Sequence, residues 1–126
     1  MAASVSSQLS PYVDKLIVDT NCNTTVTTNV LSGGATSFIL DADNSNNAAQ
    51  VVVLKAFNLA SPTLDGSNSS TEPDLIFTIP AGVRQTITIS DGIYFGTALS
   101  FACATGAATT NNTSPTNPVT VRIMAE

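Results

Sequence analysis

The chain has 126 residues, 43% of them hydrophobic and 10% charged, which is enough length for one domain and enough apolar content for a packed core. Its formal net charge is −5 and its only cations are Lys15, Lys55, Arg84 and Arg122. Four scattered cations argue against binding along a nucleic-acid backbone or on an anionic membrane. Ser, Thr and Asn make up roughly a third of the residues in place of charge, so the surface is rich in hydroxyls and amides and is cheaper to desolvate than a charged one.

Residues 1–20 differ from the rest. The opening has neither the basic nor the apolar segment of a secretion signal, and no window approaches the ~18 apolar residues of a membrane span. If Met1 is the true start, the chain is made in a cytoplasm and Cys22 and Cys103 begin as thiols. Whether the two pair is left open. The segment 11–19 (PYVDKLIVD) carries an apolar run without a helical period. It reads as an N-terminal arm (1–20) with Tyr12, Val13, Leu16 and Ile17 available to dock, or else as a first strand or helical turn of the fold.

From residue 21 onward the pattern is one of strands. Residues 24–31 (TTVTTNVL) and 36–42 (TSFILDA) are rich in β-branched and aromatic residues and are separated by Gly33-Gly34. The run 41–47 (DADNSNN) is a cluster of turn formers. Residues 49–57 (AQVVVLKAF) read as a buried strand, with Lys55 snorkelling or at an edge. A long polar loop, 58–73, precedes 74–80 (DLIFTIP). Residues 84–90 (RQTITIS) alternate strictly, as a half-buried antiparallel strand does. Asp91-Gly92 reads as a turn before a short strand at 93–95. Residues 98–104 (ALSFACA) and 118–125 (PVTVRIMA) flank a second polar loop, 105–117. The sum is about eight short strands without a helix, an all-β fold. The expected architecture is a two-sheet antiparallel β-sandwich, jelly-roll-like, over residues 21–126.

Little here points to chemistry. There is no histidine, and neither cysteine has an evident activating base. The glycines match no phosphate-binding loop, and turn formation accounts for the carboxylates. No enzyme activity and no cofactor are expected. Asp41 and Asp43 are weak candidates for calcium, because alternating oxygens could wrap the ion, but the glycine and closing glutamate of an EF-hand loop are missing. The Asn-x-Ser/Thr triplets at Asn23, Asn68, Asn111 and Asn112 reflect abundant Asn and Thr.

Residues 81–106 (AGVRQTITISDGIYFGTALSFACATG) resemble the carboxy-terminal half of small β-rich virion proteins of tailed bacteriophages. In those proteins a Pro-Ala-Gly turn, a strand, an acidic turn, an aromatic strand and a small-residue strand lead through a polar loop to a final V-x-V-x-I strand. Residues 54–67 (LKAFNLASPTLDGS) are similar to their V-K-x-F-N segment. Ala98 departs from the pattern, where glycine is expected. The resemblance implies a capsid decoration (cement) protein without catalytic residues, made in the host cytoplasm and ending on the capsid surface. It implies the major capsid protein as partner, with the chain itself a homo-oligomer, trimer before dimer. A tail, baseplate or fibre component, or a carbohydrate-binding or adhesin module, are the alternatives. The last would need exposed aromatic rings, and the aromatics of this chain fall mostly in core patterns.

Overall fold

The computed structural model describes residues 3–7 and 13–126. Eight strands run in chain order: β1 (Ala3–Ser7), β2 (Lys15–Cys22), β3 (Ala35–Asp43), β4 (Val52–Phe57), β5 (Leu75–Ile79), β6 (Arg84–Phe95), β7 (Ser100–Ala104) and β8 (Val119–Ala125). They form a five-stranded sheet, β1-β2-β8-β3-β6, and a three-stranded sheet, β5-β4-β7, with every pairing antiparallel. The fold is an all-β sandwich. Its core lies between the sheets, where alternate residues meet: Val119, Val121 and Ile123 from β8, Leu40 and Ala42 from β3, Val52, Leu54 and Ala56 from β4, and Phe101 and Cys103 from β7.

The segment between β2 and β3 completes the topology. Thr27 and Phe101 exchange both backbone hydrogen bonds, at 2.8 and 3.0 Å, and Val30 N–H donates to Leu99 O at 3.0 Å. Counted as a strand, it gives two four-stranded sheets, β2-β8-β3-β6 and (23–31)-β7-β4-β5, which is a jelly-roll path with β1 added at one edge. The strand expected at 24–31 is thus reduced to a single bridge. Asn29 and Ser32 take left-handed backbone, with φ of 44° and 55°, and turn the chain before a ladder can extend.

Two further expectations are corrected. Asp91-Gly92 does not divide one strand from the next, because β6 runs through it to Phe95. The extra residues bulge where the β3 register shifts between Ser37 and Ile39, and Gly92 takes φ +75°. A Cβ at Gly92 would come within 2.5 Å of Thr36, so the bulge requires glycine. Secondly, the described stretch of residues 1–20 is not an arm outside the domain. β2 lies between β1 and β8, and a boundary after residue 20 would cut through it. Burial explains the difference, since Ile17 is fully enclosed in the core and Asp19 is buried beside it.

Every residue of β4 is buried. Val52, Leu54 and Ala56 face the sandwich, so Val53, Lys55 and Phe57 point outward and are covered by something else. The cover is the pair of long loops. Lys55, in the central strand and not at an edge, lies opposite the small side chain of Ala102. It is fully buried and donates from Nζ to the carbonyls of Ala108 at 2.8 Å and Asn111 at 2.9 Å. The loop 58–73 reaches the same roof, since Gly66 lies against Asn112 so closely that a Cβ would come within 2.8 Å of it.

Burial pushes the Lys55 ammonium below the ordinary lysine value of 10.5. The unfolded chain therefore holds that proton more tightly. Burial of the charge costs stability at low and neutral pH, and the cost is relieved as pH rises from the lowered folded value toward 10.5. Lys55→Met keeps the stem but leaves two carbonyls without a donor. We expect it to lower stability by about 1–3 kcal/mol and to speed amide exchange across 105–117. Denaturant titrations across pH should show the advantage of the wild type widening as pH rises. Unchanged exchange in that loop would mean that Lys55 does not hold it.

Candidate functional site: the outer face of the five-stranded sheet

The outer face of the three-stranded sheet is roofed over β4 and β7, leaving Ile76 and Thr78 of β5 exposed, whereas the opposite face of the sandwich carries a built cluster. Register fixes which side chains meet there. One cross-strand row runs Val18, Arg122, Asp41, Thr86, and the next runs Leu16, Met124, Ile39, Thr88. A third sets Asp43 between Thr120 and Arg84. Arg122 and Met124 point outward because Val121 and Ile123 point in, and Asp41 does so because Leu40 and Ala42 point in.

These rows enclose a shallow hollow of about 210 Å³, lined by Leu16, Ile39 and Met124 on one side and by Asp41, Arg84, Thr86 and Arg122 on the other. Asp41 is the hub, its side chain only 7% exposed. Arg84 donates to it from Nε, at 3.2 and 3.0 Å to the two oxygens, and its NH2 lies 2.9 Å from Oδ2. The Thr86 hydroxyl donates to Oδ1 at 2.7 Å. These hydrogen bonds, together with the charge of Asp41, hold the Arg84 guanidinium still more firmly protonated. The Arg122 NH1 stands 3.8 Å from Asp41 Oδ2, beyond hydrogen-bond reach, and is buried without an acceptor. Two of the chain's four cations thus meet over one enclosed carboxylate, with donor capacity left over.

The two aspartates singled out for calcium have other employment. Asp41 belongs to β3 and is engaged by Arg84 and Thr86. Asp43 accepts from Ser45 N–H at 3.0 Å, closing an Asx turn. The hydrogen bonds from Ser45 hold the Asp43 carboxyl below its usual range, with Arg84 and Arg122 adding to the effect. Next to them, Asn44 donates to Gln50 O at 2.8 Å and Pro80 O at 3.1 Å. Among the described residues no three or more His, Cys, Asp or Glu side chains gather as a metal would need.

The docking residues expected near the N-terminus separate. Tyr12 lies outside the described residues. Val13 is half-buried, Leu16 lines the hollow, and Ile17 is enclosed in the core and so cannot serve as a contact. Sequence reasoning did not find Arg84, Arg122, Thr86, Ile39 or Met124. Alternation within 84–90 and 118–125 separates Arg84, Thr86, Arg122 and Met124 from the inward residues of their strands, but only strand order brings β8 between β2 and β3. Comparison with known proteins finds no matching family model, curated protein or solved structure.

Asp41→Asn keeps the shape and removes the charge that balances the two guanidinium groups. We expect it to lower stability by about 1–2 kcal/mol at neutral pH. A thermal melt at neutral pH reads this directly, and equal melting of the two proteins would show that the carboxylate is not the hub.

Proposed function

We propose that the protein is a structural component of a virus particle, a capsid decoration protein that binds the assembled shell through the outer face of its five-stranded sheet. The observation that carries this reading is the hollow itself. Apolar side chains stand beside two guanidinium groups that are 55% and 39% exposed on a sheet face, a composition that protein interfaces favour. The resemblance of residues 54–67 and 81–106 to phage virion proteins supplies the particle, and with it the major capsid protein as partner. Few surface charges mean little desolvation cost over a broad contact. The edge strand β6 offers backbone groups for pairing with further copies of the chain, in keeping with a symmetric oligomer, trimer before dimer. Production in the host cytoplasm and a final place on the capsid surface belong to the same reading, and a tail, baseplate or fibre position is its nearest variant.

A carbohydrate-binding role has one observation in its favour. Tyr94, which sequence pattern assigned to the core, is 73% exposed and offers a ring for stacking on a sugar. One such ring on an edge strand is a thin basis, and a glycan array without signal retires it.

Sedimentation of the purified protein with capsids that lack it tests the main reading. The wild type should pellet with the shells and raise their melting temperature. Arg122→Glu, shown to fold by its own melt, should bind roughly tenfold or more weakly. Shells that take up no wild-type protein, or that take up the variant equally well, contradict the proposal.

A further inference from the structure

Cys22 ends β2 and Cys103 lies within β7, so each sheet contributes one cysteine. Directly after Cys22 the chain leaves the five-stranded sheet and crosses to β7. The Asn23 carbonyl accepts from Cys103 N–H at 2.9 Å, and the Thr27–Phe101 pair follows two residues along β7. The crossing places Cys22 and Cys103 in one core cluster, 2% and 0% exposed, with both thiols free and Cys103 the neighbour of the Cys22 thiol. The hydrogen bond from Cys103 to Asn23 ties the two backbones together at the residue next to Cys22.

We propose that Cys22 and Cys103 are a modification site, an intramolecular disulfide that bolts the two sheets together and is formed by thiol–disulfide exchange with a small-molecule disulfide. One protein thiol gives up its proton and attacks a sulfur of the small disulfide. A mixed disulfide forms and the first small thiolate leaves. The second protein thiolate then attacks the protein-side sulfur of that bond, closing Cys22–Cys103 and releasing the second small thiolate. The two protons lost by the protein end on the two small thiols, so the protein is oxidised and the small disulfide reduced.

The surroundings set when this happens. Burial, with Cys103 and then Asp19 adding, pushes the Cys22 thiol well above its ordinary range, so thiolate is scarce in the closed fold. Exchange therefore runs when the 23–31 segment lifts from β7 or while the chain is folding. Once made, the bond joins residues distant in sequence and restricts the unfolded chain.

The full-length protein is refolded with glutathione disulfide, and separately incubated with it in the folded state. Intact mass, alkylation under denaturing conditions and a thermal melt are then read. We expect refolding to give a monomer lighter by two hydrogen atoms, closed to alkylation until reductant is added. It should melt roughly 10 °C higher than the reduced form. The folded protein should reach the same product more slowly. Cys22→Ala and Cys103→Ala should each gain one glutathione and no rise in melting temperature. A refolded wild type that keeps two alkylatable thiols, carries two glutathiones or links to a second copy overturns the proposal. So does a crosslinked monomer that melts no higher than the reduced one. The wild-type readout stands even if either variant fails to fold.

Discussion

Lys55 sits at the centre of a strand buried on both faces, and a buried ammonium needs hydrogen-bond acceptors. No carboxylate supplies them here. Two backbone carbonyls of the 105–117 loop do, at 2.8 and 2.9 Å, so the loop must lie flat on the three-stranded sheet. Much of the molecule follows from that. One sheet face is closed over β4 and β7 by the chain's own loops, and the other carries an open hollow with its charges turned outward. The charge whose burial costs stability is also the one that fixes which face is left open.

A chain with so few charges must hold its loops by other means, and amides and hydroxyls do so. Asn47, nearly fully buried, donates to Asn44 Oδ1 at 2.9 Å and to Asn117 O at 3.1 Å. It also accepts from Asn117 N–H at 2.8 Å, while its own carbonyl accepts from Gly82 N–H at 2.9 Å. One side chain and its backbone thus tie the turn after β3, the turn before β6 and the end of the last loop. In the 58–73 loop Asp65 does the same on a smaller scale, accepting from Ser67 and Ser70. Polar loops so closed on themselves act as a rigid cover, not as free linkers.

The sandwich was legible because its inward residues alternate. Val119, Val121 and Ile123, or Leu40 and Ala42, can be read from spacing alone, and the run of apolar residues marked β4 as buried on both sides. Three features were not legible, each for a physical reason. The break at Asn29 depends on a left-handed backbone that β-branched neighbours conceal. The course of β6 through Asp91-Gly92 depends on β3 pairing with it on both sides of the bulge. The inclusion of residues 15–22 depends on β8, a strand about a hundred residues away in sequence. The candidate site shares that last difficulty. Asp41 drew attention as a calcium ligand because its partners, Arg84 and Arg122, reach it only through strand order.

The molecule has two unlike faces, one sealed over Lys55 and one open around Asp41. Arginine-selective dicarbonyl labelling, mapped by peptide mass spectrometry on free and particle-bound protein, tests that division most directly. In the free protein Arg84 and Arg122, with side chains 55% and 39% exposed, should both react. On the particle both should be protected, while the loops over Lys55 keep the amide exchange of the free state. Equal labelling of the two arginines in both states, with protection appearing in the loops instead, would contradict it.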